Sequence, residues 1–349
     1  MSTTDTTQLW PLLLHQLLER QSLSEDQAEL LMNAWLDSEV PEVLSGAILA
    51  ALQAKGVTAS ELAGMARVLQ RAAVGERLTA FPVLIDTCGT GGDGAGTFNI
   101  STAVAFVVSA AGIPVAKHGN RSASSKVGSA DVLEALGVNL AATPDQIRAA
   151  VSEVGITFLF APHWHPAMRA VMSIRKTLKV RTIFNLLGPL VNPLGPNRQV
   201  VGVYDSGLVP TVAAALGLLG CERAIVLHSR EGMDEAGLEQ PTDLGVLQHG
   251  EVTTRSILAA DVDLTPAPRQ ALQGGELADN VAIMQAVLQG GGTPAQRDAV
   301  ILNSALALHV AGDTPDWETF PNSIAQARAI LSSGLAWEKL QKLIAFLHA

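Results

Sequence analysis

The most constraining feature of this 349-residue chain is an alternation of short apolar runs with helical patterns, which begins near residue 80. Runs rich in branched aliphatic residues predict five buried strands, at 81–85, 113–116, 156–161, 200–204 and 224–227. Helical periodicity occurs between or beside them, at 101–111, 129–136, 144–154, 166–177 and 208–219. This alternation predicts an α/β fold, in which a mostly parallel central sheet is flanked by helices on both faces.

The first 76 residues carry only helical patterns. Ser24 and Thr58 are each followed three residues later by glutamine or glutamate, which is the spacing of a helix capping box. Pro11 and Pro41 suit the first turns of two more helices. We predict a small all-helical N-terminal domain at 1–76 and a large α/β domain at 77–349. The latter ends in four further helical patterns, at 277–289, 295–310, 323–332 and 336–347.

Composition excludes several classes of protein. Hydrophobic residues make up 48% of the chain and charged residues 16%, which is incompatible with intrinsic disorder. A net charge of −10 argues against a dedicated nucleic-acid binder. Two cysteines, Cys88 and Cys221, cannot form a disulfide framework. The N-terminus lacks a basic signal region, and no apolar stretch reaches the ~20 residues of a membrane helix. We therefore expect a soluble cytoplasmic protein with no membrane partner.

A glycine-rich segment directly follows the first predicted strand. The sequence DTCGTGGDG occupies 86–94, and TFNIST follows at 97–102, where a helix is predicted to begin. Glycines let main-chain N–H groups approach an anion closely, and a helix N-terminus favours the same ligand. The spacing matches neither the Walker A motif nor the dinucleotide fingerprint. The segment predicts an anion-binding loop of another kind.

A second polar segment follows the next predicted strand, with KHGNRSASS at 117–125 and Gly128-Ser129 shortly after. Lys117 and Arg121 contribute positive charge, and the serines contribute hydrogen-bond donors. Open α/β sheets bind ligands at the edge formed by the carboxyl ends of their strands. The two polar segments therefore predict one shared anion site.

Two adjacent carboxylates, Asp234 and Glu235, lie in the polar stretch 230–245, which we expect to form a loop after the strand at 224–227. Divalent cations such as Mg²⁺ prefer oxygen ligands and often bridge to substrate phosphates. An isolated acidic pair is usually surface charge. The position of Asp234 and Glu235 after a strand, near the two polar segments described above, favours a metal site.

Two further features each allow two interpretations. His163 and His165 have a spacing that can chelate zinc, but no cysteine or carboxylate completes a site. Arg175 stands one turn before the end of the helix predicted at 166–177. It is either a surface cation that interacts favourably with the helix dipole, or a guanidinium that grips a ligand carboxylate.

Together these segments resemble the anthranilate phosphoribosyltransferase family, over nearly the whole chain. The diagnostic pieces are GTGGD at 89–93, NIST at 99–102, KHGNR at 117–121, FAP at 160–162 with HPAM at 165–168, and RKTL at 175–178 through NLLGPL at 185–190. One stretch departs from the family pattern: residues 231–235 read EGMDE instead of the usual DGLDE. The acidic pair itself is retained.

The resemblance implies the nucleoside phosphorylase-like phosphoribosyltransferase fold. In it, a segment near 177–195 returns to the helical domain, and two copies pair through that domain as a homodimer. The implied substrates are anthranilate and 5-phosphoribosyl pyrophosphate (PRPP), with two Mg²⁺ ions as cofactor. The implied products are N-(5-phosphoribosyl)anthranilate and pyrophosphate, in tryptophan biosynthesis.

The resemblance also implies site residues, motif by motif. Ser101, Asp234 and Glu235 would hold or organise Mg²⁺. Gly89, Asn120 and Arg175 would contact anthranilate, with His118 and Pro189 nearby. The residues implied for PRPP are Gly89, Gly92, Asp93, Thr97, Asn99, Ile100, Ser101, Thr102, Lys117, His118, Gly119, Asn120, Arg121, Ser122, Ala123, Ser124, Ser125 and Ser129.

The implied reaction needs no catalytic triad. Displacing pyrophosphate from C1 of the ribose builds positive charge on the sugar and negative charge on the leaving group, which magnesium and loop donors would stabilise. The nucleophile is an aromatic amine that is already neutral at pH 7. We therefore predict catalysis by positioning and electrostatics, with no catalytic residue beyond a minor role for His118.

Two alternatives stay open. A pyrimidine nucleoside phosphorylase has a related architecture, but carries a Lys-x-Ser-Gly-Arg pattern where this chain has KHGN at 117–120. A non-enzymatic relative that binds nucleic acid would need a basic groove, against the net charge of −10, and would not need a clamp at Arg175.

Overall fold

Four helices begin the computed structural model, which describes residues 6–122, 126–312 and 316–349. Both predicted capping boxes form: the Ser24 hydroxyl accepts the Gln27 N–H, and the Thr58 hydroxyl accepts the Glu61 N–H. The buried Glu61 carboxylate also accepts the Leu23 N–H at 2.9 Å, which ties the second helix to the fourth. The helices are α1 (Thr6–Leu18), α2 (Glu25–Leu36), α3 (Glu42–Lys55) and α4 (Ala59–Arg71).

A seven-stranded sheet lies at the centre of the rest of the chain. Its strands are β1 (Ile85–Gly89), β2 (Val115–Gly119), β3 (Ile156–Phe160), β4 (Arg198–Gly202), β5 (Arg223–Ser229), β6 (Thr242–Gln248) and β7 (Glu251–Ile257). Their order is β3-β2-β1-β4-β5-β6-β7, with β1 to β5 parallel and β6 and β7 antiparallel at one edge. The predicted class, a mostly parallel sheet in an α/β domain beside a helical domain, is confirmed.

Eleven further α-helices occur in the described residues. They are α5 (Ile100–Ala110), α6 (Ser129–Ala135), α7 (Pro144–Glu153), α8 (Ala161–Trp164), α9 (Met172–Leu178), α10 (Phe184–Leu187), α11 (Leu208–Leu218), α12 (Leu277–Leu288), α13 (Pro294–Ala311), α14 (Phe320–Ser333) and α15 (Leu335–Leu347). Within the described ranges, none of the helices has the length and apolar character to span a membrane.

The sheet separates two hydrophobic cores, and side chains of β5 alternate between them. Ile225 and Leu227 belong to the core that α5 and α13 to α15 cover. Val226 belongs to the other core, which α11 shares with the N-terminal helices. The helical domain therefore packs through α11 against one face of the sheet.

The chain between Val171 and Val191 contributes to this second core. Val171, Ile183 and Phe184 are buried there among residues of the N-terminal helices. The Phe184 ring lies 5.5 Å from the ring of Trp35 on α2. This segment connects the α/β domain to the helical domain and forms one side of the space between them. The domain boundary at residue 76 stays a prediction.

Two predicted elements have different bounds in the structure. The first strand is Ile85–Gly89 rather than 81–85. Pro82 lies in the predicted run, and proline cannot donate a ladder hydrogen bond. The helix predicted at 166–177 consists of a 3₁₀ segment, Pro166–Val171, followed by the short α9.

Two strands were not predicted. β6 begins inside the stretch 230–245, which the sequence suggested was loop throughout. β7 is an edge strand with mostly exposed, polar side chains, so it has no apolar run to identify it. Both strands pair antiparallel to their neighbours and extend the sheet beyond β5.

Candidate active site

A cavity of about 570 Å³ lies between the carboxyl ends of β1 and β2 and the chain that carries α9 and α10. Both polar loops, the acidic pair and Arg175 reach its wall. The predicted residues that line it are Gly89, Gly92, Asp93, Thr97, Asn99, Ser101, Thr102, Lys117, His118, Gly119, Asn120, Arg121, Ser122, Ser129, Arg175, Pro189, Asp234 and Glu235. The fold thus brings distant segments of the chain into one site.

The remaining predicted residues are placed differently. The Ile100 side chain is completely buried in the core under α5, so a contact of Ile100 with PRPP would have to come from its main chain. Arg121 lines the cavity, but its guanidinium pairs with Asp131 at 2.5 Å and with Glu134 at 2.8 Å. Ala123, Ser124 and Ser125 lie outside the described residues.

The glycine-rich loop packs directly against Asp234. A Cβ atom at Gly202 would lie 1.6 Å from the Asp234 carbonyl oxygen, and one at Gly89 would lie 2.4 Å from its Oδ2. That Oδ2 accepts the Gly91 N–H at 2.7 Å. Glycine is therefore required at 89 and 202 because of contacts within the protein itself.

Three carboxylates meet beside this loop. Asp93 Oδ2 accepts the Asp234 N–H at 3.1 Å, and Glu235 Oε1 accepts the Ser101 N–H in the first turn of α5 at 3.2 Å. Burial raises the pKa of Glu235 to about 8, and the nearby Asp234 charge adds to the effect. Burial also raises the pKa of Asp234, reinforced by Asp93. Negative charge and burial together disfavour ionisation of the acidic pair, and a bound cation would relieve this.

These donors fit Mg²⁺. Lys117, whose charge acts on Glu235, donates to the Thr87 carbonyl at 2.5 Å and lies 3.4 Å from the Ser101 hydroxyl. Among the described residues, no three His, Cys, Asp or Glu side chains form a group that could hold an ion. Mg²⁺ usually keeps water and substrate phosphate oxygens in its shell. The acidic pair therefore suits an ion that is shared with a phosphorylated ligand.

The N-terminus of α5 presents unpaired polar atoms at the cavity. Asn99 makes no side-chain capping bond; its Oδ1 is buried without a partner, while its Nδ2 donates to the Val127 carbonyl at 3.3 Å. The buried Thr102 hydroxyl also has no partner. A buried unpaired polar group costs about 1–3 kcal/mol. These atoms therefore indicate a polar ligand.

Arg175 faces the same cavity from α9. It is half-buried, and its guanidinium lies 5.6 Å from the Phe184 ring centroid. Within the described part of the chain, no carboxylate lies within 4.0 Å of it. Burial lowers its pKa. A half-buried guanidinium without an acidic partner suits a ligand carboxylate better than the role of a surface cation.

His118 is a neutral hydrogen-bonding group in the cavity wall. Burial lowers its pKa to about 3, and His165 adds to the effect. Its Nδ1 lies 3.1 Å from the Gly188 carbonyl, so Nδ1 carries the proton, and the buried Nε2 has no partner. His165 packs against it, with ring centroids 5.2 Å apart, whereas His163 is exposed and packs on Phe160. His163 and His165 therefore do not form a zinc site together.

Two residues that support this site were not predicted from the sequence. Asp86, fully buried within β1, accepts the His118 N–H at 3.1 Å and the Asn192 amide at 2.8 Å. Arg181 donates to the Gly92 carbonyl at 3.0 Å. For Asp86, the only signal in the sequence is weak: an aspartate at the end of an apolar run. Arg181 has no local signal, because its role depends on a contact with a residue that is distant in the chain.

The sequence and the fold match known proteins along most of the chain. The family model described as "Glycosyl transferase family, a/b domain" matches residues 82–337. The model described as "Glycosyl transferase family, helical bundle domain" matches residues 11–73. An anthranilate phosphoribosyltransferase from Synechococcus sp. (strain JA-3-3Ab) is 74% identical over 344 residues, which cover 99% of each chain. One from Trichodesmium erythraeum (strain IMS101) is 61% identical over 346 residues, 97% of each chain.

Two solved structures are similar over almost their full length. Anthranilate phosphoribosyltransferase from Thermus thermophilus is 40% identical with a TM-score of 0.89, and the match covers 97% of this chain and 99% of that one. The Saccharomyces cerevisiae enzyme in complex with PRPP and Mg is 25% identical with a TM-score of 0.83, covering 99% of both chains.

The fold and site thus define a glycosyltransferase built from a helical bundle domain and an α/β domain. Within that class, the chain belongs to the anthranilate phosphoribosyltransferase family. The resemblance seen in its motifs is confirmed.

Proposed function

We propose that this protein transfers the 5-phosphoribosyl group of PRPP to the amine of anthranilate, releasing pyrophosphate, in tryptophan biosynthesis. One observation carries the proposal: a single cavity has two unlike walls. The sheet side offers main-chain donors and buried carboxylates, and the α9 side offers the guanidinium of Arg175. The first wall suits a diphosphate with its metal, and the second suits a carboxylate.

On the sheet side, we assign the diphosphate of PRPP to the glycine-rich loop and the N-terminus of α5. Gly92 and Asp93 lie in the wall, the unpaired Thr102 hydroxyl can donate to a ligand oxygen, and the unpaired Asn99 Oδ1 can accept from a ligand hydroxyl. The second polar loop, 117–129, contributes Lys117 and Ser129 to the same wall. Its middle residues, 123–125, are proposed from the family motif alone.

The acidic pair is assigned to magnesium, with two ions as the proposed number. Asp234 and Glu235 would hold the ions, and Ser101, whose N–H binds Glu235, would organise them. Held by these residues, magnesium would supply positive charge that stabilises the departing pyrophosphate. The saccharomycete relative solved with PRPP and Mg supports this assignment.

On the opposite side, we assign anthranilate to Arg175, Asn120 and Gly89. A planar guanidinium can bind a carboxylate with two parallel hydrogen bonds, which fixes the direction of the ring that carries it. The unpaired Nε2 of His118 can accept one hydrogen bond from the amine. Its lowered pKa makes it a weak base, so this contact orients the nucleophile and does not activate it.

The reaction then balances without a base in the wall. The amine nitrogen forms a bond to C1 of the ribose while the C1–oxygen bond to pyrophosphate breaks, and the electron pair leaves with pyrophosphate. The nitrogen is cationic once it has bonded to C1, and it then releases one of its two protons to water or pyrophosphate. Holding both reactants in one cavity supplies most of the rate.

An assay with both substrates tests the proposal. Anthranilate is fluorescent, so its fluorescence should fall only when PRPP and Mg²⁺ are both present. Pyrimidine nucleosides with inorganic phosphate serve as the control for a phosphorylase. Turnover of nucleosides without turnover of anthranilate would identify a pyrimidine nucleoside phosphorylase instead. Binding of a nucleic acid without either activity would identify a non-enzymatic nucleic-acid-binding protein.

We also propose that two copies pair through the helical domain. Exposed apolar side chains support this: Leu12 is 63% exposed, Leu18 is 65% exposed, and Val43 on α3 is 84% exposed. Such side chains on neighbouring helices suit an interface between subunits. Both cysteines are free, which suits the reducing cytoplasm that we propose as its compartment.

A further inference from the structure

Arg181 contacts the glycine-rich loop without lining the cavity. Its guanidinium donates to the Gly92 carbonyl at 3.0 Å. Gly92 and Asp93 belong to the cavity wall, but Arg181 does not. We therefore expect Arg181 to act on a ligand in the cavity through the loop.

This contact fixes the direction of one peptide group. The carbonyl of residue 92 and the N–H of residue 93 point in opposite directions, because the peptide bond between them is planar and trans. While Arg181 holds the Gly92 carbonyl, the Asp93 N–H is held pointing away from Arg181. Gly92 has a φ of 79°, and glycine populates several alternative conformations easily, so this peptide needs an external restraint.

Tyr204 holds the guanidinium in place. The Arg181 Cζ lies 4.4 Å from the centroid of the Tyr204 ring, and the Gln53 side chain of α3 lies beside its hydroxyl. The Tyr204 N–H donates to the Thr90 hydroxyl at 3.2 Å. Tyr204 is thus itself attached to the same loop. Stacking of this kind restricts a long exposed side chain to one position.

We propose that Arg181 is a positioning residue for PRPP, which acts through the glycine-rich loop. Together with its Tyr204 platform, it keeps the loop N–H groups directed at the diphosphate before the substrate arrives. This inference rests on the proposed function for its substrate. Arg181 and Arg175 stand in the same short segment of the chain. This segment therefore serves both the PRPP side and the anthranilate side of the cavity.

Four variants and one control test the latch formed by Arg181 and Tyr204. Arg181→Met removes the donor and the charge, and Tyr204→Leu removes the ring. Each should raise the KM for PRPP about 5- to 10-fold, the effect of one hydrogen bond, and change the KM for anthranilate by less than about twofold. Tyr204→Phe keeps the ring and should behave as wild type, while Arg181→Lys should recover part of the loss. Lys176→Met removes an exposed cation of α9 and is the matched control.

A second measurement needs no substrate. Amide hydrogen exchange of residues 90–96 should be faster in Arg181→Met than in wild type, and unchanged in Lys176→Met. Unchanged exchange with an unchanged KM for PRPP would overturn the latch, as would equal rises in both KM values. A wild-type protein without transferase activity would contradict the proposed function, whereas the exchange result would still decide the role of Arg181.

Discussion

Arg175 shows how the surroundings of one residue decide between two uses of the same side chain. A cation near a helix C-terminus is normally solvated and interacts with the helix dipole. Arg175 is instead half-buried above Phe184 and faces the cavity. Burial of a charge without a partner has a cost, which a ligand carboxylate would offset.

Replacement of Arg175 by alanine should therefore act on one substrate. Loss of a charge-assisted pair costs about 1.5–3 kcal/mol, so the KM for anthranilate should rise roughly 10- to 150-fold while the KM for PRPP stays nearly constant. Arg175→Lys should restore little, because lysine keeps the charge but not the fork. Steady-state kinetics with both substrates varied measures this, with Lys176→Ala as the control. Equal effects on both KM values would contradict the assignment.

Single residues of the site could be proposed from the sequence where the relevant residue types lie close together in the chain. The glycines and hydroxyl residues after β1 form one such group and the acidic pair after β5 another, and both groups line the cavity. Their roles stay predictions. Asp86 and Arg181 were missed, since their roles depend on Asn192 and Gly92, which are distant in the chain. Ile100 shows that a residue within a binding motif can have its side chain in the core.

At the scale of elements, the loop between β5 and β6 buries two carboxylates whose ionised form is disfavoured until a cation binds. Glu235 has a pKa of about 8 in the folded protein. An unfolded glutamate has a pKa of about 4.3, and each unit of difference corresponds to about 1.4 kcal/mol. The folded protein therefore binds more protons than the unfolded chain between these values, and its stability falls as pH rises through them.

Thermal unfolding between about pH 5 and pH 9 tests this loop. The substrate-free protein should lose stability as pH rises, and Glu235→Gln should lose less, by about 1–2 kcal/mol near pH 8. The same variant should lose most transferase activity. Mg²⁺ should raise the Tm of wild type more at high pH than at low pH. Glu251→Gln, on the exposed edge strand, is the control; identical pH profiles for wild type and Glu235→Gln would contradict the assignment.

Elements were predictable where burial imposes a pattern. β2 to β5 are short and buried, and their apolar runs fall close to the observed bounds. β1 is displaced because its pairing section, Ile85–Gly89, is mostly polar, and it is buried by its neighbours in the sheet rather than by its own composition. β7 lacks an apolar pattern for the opposite reason, because most of its side chains face solvent.

At the scale of the whole molecule, the site lies where two differently built halves meet. The rule that parallel strands present ligand sites at their carboxyl ends predicted its edge of the sheet. It did not predict that α9 and α10 close the other side, because their packing on the helical domain is set by contacts such as that of Phe184 with Trp35.

The proposed pairing of two copies can be measured directly. Sedimentation equilibrium should give twice the 36.4 kDa of one chain. A double change, Leu18→Glu with Val43→Glu, should yield monomers, because each charge would be buried in the interface at a cost of several kcal/mol. Leu277→Glu, 41% exposed on α12, is the control and should leave the mass unchanged. A wild-type monomer would refute the pairing.

The shared core of the helical domain has a consequence for synthesis. The sequence of its four helices is complete at residue 71. Phe184 and the apolar face of α11, which belong to the same core, are synthesised only after more than a hundred further residues. At about 5–20 residues per second, this interval lasts on the order of 10 s. During that time the nascent bundle exposes apolar surface that its own helices cannot cover. The first part of the chain to be made is thus among the last whose hydrophobic core is completed.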